Sequence, residues 1–196
     1  MINGEIESAQ KLKEIRVIFS HTQFNLALIQ EWQTRIMHYH WQKQTEVDPC
    51  NEMAGFMRLL SGKKSKPDGL EDQMDTIIVD ELPMSVLAKY GFFGVLNRPH
   101  SVLALLTQPE LREKYDSIPE DYLFIGETDH VLMKPIPNLA TETTPVAFDF
   151  GYMHSSSSLD NIIKLVWPEG SWKDIQPIGP SPIIIHKKQL EIITKV

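Results

Sequence analysis

Ile15-Arg16-Val17-Ile18-Phe19-Ser20 is a compact β-branched and aromatic run, and it reads as the first strand of the chain. A long helical pattern follows. Phe24, Leu28, Trp32, Ile36 and Tyr39 step by three or four residues along one face, with Thr22 placed to cap the helix. Strand, turn and long helix at the start of a domain form the opening unit of α/β nucleotide-binding folds. Such folds take phosphates and nucleosides outside the carboxyl ends of their strands. Residues 1–14 are a polar lead-in, and residues 15–196 read as a single domain.

Beyond the first helix, residues 44–75 look looser, with one short element at Gly55–Leu60 and a basic loop at Lys63-Lys64-Ser65-Lys66. Thr76–Val79 predicts a strand that ends at Asp80-Glu81, and Gly91–Leu96 predicts another, closed by Asn97-Arg98-Pro99. A helix follows Pro99, and Pro109 opens a second one. Asp121–Gly126 is the clearest buried strand. After it come a strand at Val146–Phe150, a helix at Leu159–Val166, a strand at Pro182–Ile185 and a terminal helix. Strands alternating with helices, without an internal repeat, predict an α/β sandwich.

The 196 residues carry a formal net charge of -7, so no dense basic face is available for phosphate neutralisation and nucleic acid is excluded as the main partner. The single cysteine, Cys50, rules out an intrachain disulfide and a multi-cysteine zinc site. No apolar run is long enough to span a bilayer, and the start lacks the pattern of a signal peptide.

Chemistry concentrates in Glu127-Thr128-Asp129-His130, where an apolar strand runs into two carboxylates spaced i, i+2 and then an imidazole. Oxygen ligands of this kind suit Mg²⁺ or Mn²⁺, ions that also bridge phosphate oxygens and neutralise a departing diphosphate. Spacing alone leaves a metal site and an ordinary solvated strand end equally open. Arg35 lies on the apolar stripe between Trp32 and Tyr39, where a guanidinium needs a carboxylate or phosphate partner; a structural salt bridge is the commoner outcome. Arg98 follows a predicted strand and would face the same edge as Asp129, as a phosphate contact or a loop brace. His38 and His40 read as structural, and Trp167 and Trp172 as core anchors. Pro177-Ile178-Gly179-Pro180-Ser181-Pro182 is a rigid turn suited to a pocket wall.

Several blocks, taken in order, carry a resemblance. They are Trp32-Gln33-Thr34-Arg35-Ile36-Met37-His38-Tyr39, Gly55-Phe56-Met57-Arg58-Leu59-Leu60-Ser61-Gly62, Val79-Asp80-Glu81-Leu82-Pro83 and Val95-Leu96-Asn97-Arg98-Pro99. The most distinctive is Glu127-Thr128-Asp129-His130-Val131 through Lys134-Pro135-Ile136-Pro137-Asn138-Leu139-Ala140, and residues 177–182 close the match. From about Val17 onward the chain resembles the hydroxyproline O-arabinosyltransferase family of peptidyl glycosyltransferases, related to the peptidyl serine galactosyltransferases.

That resemblance implies a GT-A-like nucleotide-sugar-binding fold with a mostly parallel central sheet flanked by helices. It implies retaining transfer of L-arabinofuranose from a UDP-sugar, UDP-L-arabinofuranose, to peptidyl hydroxyproline with Mn²⁺ or Mg²⁺, in the Golgi lumen; the residues themselves, with no signal or anchor pattern, leave the cytoplasm open as the alternative. Carried over, Asp129 is the main metal and diphosphate ligand, with Glu127 and His130 lining the same site. Arg35, Asp80 and Arg98 are donor-pocket candidates. The family commonly has Pro at Thr128, Asp at Gln176 and Asn at Pro180, so the pocket is expected to be reshaped here. Family members continue past the point matching Val196, so a third metal ligand and part of the acceptor site are expected outside this chain. Within it, His154 and His186 are the late histidines available. A catalytically impaired glycan- or nucleotide-binding protein stays open as the alternative. A sugar nucleotidyltransferase would need a Gly-rich basic loop where this chain has Ser20-His21-Thr22-Gln23.

Overall fold

The computed structural model describes residues 14–22, 27–50, 52–62 and 67–194. The polar lead-in up to residue 13, the Lys63–Lys66 loop and Phe24 lie outside the described residues, as does the start of the helix that Thr22 was expected to cap. Thr22 itself ends the first strand, paired with Ser61.

Six strands form one sheet among the described residues: β1 (Ile15–Thr22), β2 (Met53–Gly62), β3 (Thr76–Asp80), β4 (Tyr122–Glu127), β5 (Val146–Asp149) and β6 (Ile178–His186). Their order is β3-β2-β1-β4-β6-β5. β1 pairs in parallel with β2 and β4, and β2 with β3, whereas β6 runs antiparallel to both β4 and β5. The α/β expectation holds, but the mostly parallel sheet is corrected to a mixed one. The cause is the excursion through residues 150–177. It leaves from Asp149 and returns to Ile178, the residue paired with Asp149, so the next strand has to run backwards. The Phe150 amide donates to the Pro177 carbonyl at 2.8 Å and closes the base of that loop.

Strand alternation splits the core in two. On one face Ile15, Val17, Phe56, Tyr122, Phe124 and Ile184 pack under α1 (Ala27–Val47). On the other, Ile18, Leu59, Ile77, Leu123 and Ile185 pack under α3 (Asn97–Thr107), α4 (Pro109–Asp116) and α6 (Lys187–Ile193). The short α2 (Met84–Leu87) and α5 (Asp160–Val166) sit in the connections. At α6, burial pushes the Lys187 ammonium pKa down while its Nζ donates to the Ile118 carbonyl at 3.0 Å. Among the described residues no helix is long and apolar enough to cross a membrane.

The buried side of α1 differs from the predicted stripe. Thr34 and Met37 are fully buried and Trp41 is partly buried, whereas Trp32 and Tyr39 are 62% and 55% exposed. Arg35 therefore lies on an exposed surface rather than in an apolar stripe. The buried guanidinium is Arg58, in a strand that sequence reading shortened to Gly55–Leu60. Its Nη1 and Nη2 reach the two carboxylate oxygens of Asp68 at 2.7 and 2.8 Å, and Nε donates to Thr76 Oγ1 at 3.2 Å. Another ion pair ties β1 to the approach to β4: Arg16 Nε donates to Glu120 Oε2 at 2.7 Å, and the Gly55 amide donates to Oε1 at 3.0 Å. A Cβ at Gly55 would overlap the Arg16 guanidinium, so a side chain there would have to displace this ion pair.

Gly91–Leu96 is not a strand. Gly91 and Phe92 both take left-handed φ values, 63° and 59°, which end any extended run, and Gly94–Leu96 forms one 3-10 turn leading into α3. After β4, residues 131–145 return along the α1 face without a helix. The Ile136 amide meets Met53 Sδ at 3.3 Å and the Asn138 amide donates to Glu52 Oε2 at 2.8 Å, fixing this strap near the start of β2.

Candidate functional site

β1 to β5 share one direction, so their carboxyl ends form a common edge, and β6 begins there. Three strands deliver a carboxylate to that edge: Asp80 from β3, Glu127 from β4 and Asp149 from β5. The chain progresses β1, β2, β3 to one side and resumes with β4 on the other side of β1. The β1/β4 boundary is therefore the topological switch point, where open α/β sheets hold their ligands.

The turn after β4 sits at this boundary and is fastened from three directions. Arg98 Nη1, from the first turn of α3, lies 2.5 Å from Glu127 Oε1. Thr128 Oγ1 donates to Gln33 Oε1 of α1 at 3.1 Å. The Glu127 amide donates to His130 Nδ1 at 3.2 Å, and the His130 amide to the Glu127 carbonyl at 3.2 Å. Gly126 is needed for this geometry: a Cβ there would stand 2.8 Å from Phe124 Cε1 and 3.3 Å from His130 Nδ1. These bonds leave Asp129 exposed at the tip.

The predicted site residues divide accordingly. Glu127, Asp129 and His130 share one turn, and Arg98 joins it through the ion pair. Arg35 is turned elsewhere, donating through Nη1 to Gln73 Oε1 at 2.8 Å. Asp80 ends β3 on the same edge, and its carbonyl meets His100 Nε2 at 3.1 Å. His186 stands at the opposite end of the sheet, paired with Tyr122, and caps α6 by accepting the Lys188 amide on Nδ1 at 3.1 Å. It is therefore no third ligand. Among the described residues no group of three or more His, Cys, Asp and Glu side chains converges closely enough to hold a metal ion. The turn thus offers Asp129 as its open carboxylate, with Glu127 already engaged by Arg98. Mg²⁺ characteristically binds through one or two carboxylates with substrate phosphates completing its sphere, and one open carboxylate at a switch point fits that use better than a closed protein cage.

Sequence reading missed Gln33, which lies next to exposed Trp32 in a helix whose face was misassigned. It also missed a cleft of about 450 Å³ between α3, α6, β4 and β6. Phe93, Pro99 and Val102 form one wall, and Ile183, Leu190 and Ile193 the other. Glu127 and Arg98 stand in it as a pair. Ser181, from the Pro-rich turn read as a pocket wall, also lines it, and its buried Oγ has no hydrogen-bond partner.

The family model described as "Hydroxyproline O-arabinosyltransferase family N-terminal domain" matches residues 20–196. Hydroxyproline O-arabinosyltransferase 3 of Arabidopsis thaliana is 39% identical over 165 residues, covering 83% of this chain and 42% of that relative. Hydroxyproline O-arabinosyltransferase RDN2 of Medicago truncatula is 37% identical over 87% of this chain and 43% of its own length. Hydroxyproline O-arabinosyltransferase NOD3 of Pisum sativum is 34% identical over 98% of this chain and 53% of its own. The chain spans about half the length of the curated relatives it matches.

Proposed function

The chain belongs to the hydroxyproline O-arabinosyltransferase family, and from that premise we propose that it is a glycosyltransferase. It moves L-arabinofuranose from UDP-L-arabinofuranose to a peptidyl hydroxyproline, with retention and with a divalent ion, on a GT-A-like fold. The observation that carries this reading is the position of the acidic turn at the β1/β4 switch point, with Asp129 open at its tip. The family names supply the sugar and the acceptor class.

Mn²⁺ or Mg²⁺, when bound, neutralises charge on the departing diphosphate. Asp129 would hold the ion jointly with the diphosphate oxygens. His130 shapes the turn by accepting the Glu127 amide, so its Nδ1 is committed to the backbone. Arg98 holds Glu127 through an ion pair that is one-third exposed on the arginine side. Gln33 holds Thr128 and so fixes the angle at which Asp129 is presented. Asp80, at the end of β3 on the same edge with β2 and β1 between it and the turn, is suited to the nucleoside side of the donor. Arg35, whose guanidinium donates to Gln73, has no part in this arrangement. The remaining contribution is positional: a rigid strand end that orients donor and acceptor oxygen with respect to each other.

The test is calorimetric titration of UDP with and without Mn²⁺, on the unsubstituted chain and on Asp129→Ala. Binding that requires Mn²⁺ and weakens at least tenfold in the variant is expected. Equal UDP binding in all four titrations would show that the turn is an ordinary strand end.

A further inference from the structure

We propose that the two acids of the turn serve different ligands, and that the cleft containing Glu127 is the binding site for a proline-rich acceptor segment. This rests on the glycosyltransferase reading above, which assigns Asp129 to the donor. Among the described residues the cleft is almost wholly apolar, and its one anion, Glu127, is paired with its one cation, Arg98. A diphosphate or a charged peptide would lose its hydration there and find no free counter-charge. The complementary occupant is apolar and uncharged, with one hydroxyl to bond. Hydroxyproline in a polyproline II segment has that chemistry: a fixed pyrrolidine ring, no amide N–H to satisfy and a single O–H.

The polar atoms are placed to receive that hydroxyl. Ser181 lines the cleft, and its Oγ is buried without a partner, a cost that turning the hydroxyl toward an occupant would relieve. Glu127 enters from the facing strand end and has acceptor capacity beyond its bond to Arg98. Phe93 and Pro99 provide the ring surfaces on which proline-rich segments dock. The cleft is also continuous with the donor edge, because Glu127 belongs to both and stands two residues from Asp129. Occupation of the cleft therefore brings a hydroxyl beside the donor without any charged group of the occupant leaving water.

The experiment measures fluorescence anisotropy of a labelled hydroxyproline-repeat peptide and of its unhydroxylated proline counterpart, without nucleotide or metal. The titrations use the full chain, Ile193→Asp and Val95→Asp. These two positions are 55% and 38% exposed, so the substitutions leave the core intact. Both variants are expected to weaken peptide binding at least tenfold and to leave Mn²⁺-dependent UDP binding unchanged. Ser181→Ala and Glu127→Gln are expected to erase the preference for the hydroxylated peptide while retaining affinity for the proline one. Unaltered peptide affinity in both aspartate variants, or no peptide binding by the full chain, overturns the assignment. So does a dimer in solution that Ile193→Asp dissolves, since the cleft would then be an interface between copies. The UDP titration stands apart from the cleft: its failure overturns the donor reading, whereas intact UDP binding with failed peptide binding overturns the cleft alone.

Discussion

Thr128 Oγ1 donates to Gln33 Oε1 at 3.1 Å, a bond between residues 95 apart that locks the acidic turn against the first helix. Thr128 is buried, so loss of its partner leaves a hydroxyl without compensation. Gln33→Leu and Thr128→Val should each cost about 1 kcal/mol of stability. They should weaken Mn²⁺-dependent UDP binding severalfold by freeing the angle of Asp129. Denaturant unfolding and calorimetry separate the two effects; unchanged UDP affinity would mean that the turn holds its shape without α1.

Arg58 and Asp68 predict a much larger loss. Both side chains are almost completely buried, and removal of Asp68 leaves the Arg58 guanidinium in the core with only the longer Glu71 contact, at 3.4 Å, as counter-charge. Asp68→Ala should destabilise by about 3–5 kcal/mol, read from the urea midpoint. Arg58→Lys should not be tolerated as a conservative change, because a point charge cannot span both carboxylate oxygens. A shift within the range of ordinary surface substitutions in either variant would mean that the pair is idle.

His38 gives a pH signature. It stacks with Trp41 and tilts against Phe56, and burial lowers its pKa from the ordinary 6.5. Between the lowered folded value and 6.5 the unfolded chain binds more protons than the folded one, so this residue makes stability fall as pH drops through that window. Above 6.5 both states are neutral, so the stability is fully retained and only its slope with pH vanishes. His38→Phe should flatten that segment of the stability–pH curve; an unaltered slope would assign it to other groups.

Gly126→Ala tests the room inside the turn. The added methyl would meet Phe124, whose ring is buried and packed edge-on against Phe148, and His130 from the other side. A cost of about 1–3 kcal/mol is expected, with UDP affinity reduced as His130 is displaced from the Glu127 amide. An alanine variant as stable and as tight-binding as the parent would show slack that the geometry does not allow.

The parts legible in the sequence were those with an uninterrupted local signal. Asp121–Gly126 is apolar from Tyr122 onward and became β4, Pro109 opened α4 at its first position, and Thr76–Val79 became β3. β2 was cut short because Ser61 and Gly62 end its apolar run, while the Arg58 inside it is tolerable through Asp68, Glu71 and Thr76, all outside the strand. Gly91–Leu96 has strand composition, but two consecutive left-handed residues override it. The direction of β6 depends on where a long excursion returns, which no local pattern encodes. In the site, Glu127, Asp129 and His130 were readable as a contiguous cluster. Gln33 and Ser181 were not, since each acquires its role only by proximity to residues far along the chain.

The helix-free strap of residues 131–145 has a consequence for how the molecule opens. A helix crossing a sheet protects its own amides and must unwind before it leaves; an extended strap holds on only through separate anchors such as Ile136 to Met53 and Asn138 to Glu52. β5, which follows the strap directly, is a short strand at the end of the sheet, bonded on one side only. Release of those anchors uncovers the strap and β5 together while β1 and β2 stay closed under α1. Hydrogen exchange should accordingly run in two tiers, fast in the strap and β5 and slow in β1 and β2, dividing the sheet into a permanent centre and a breathing edge.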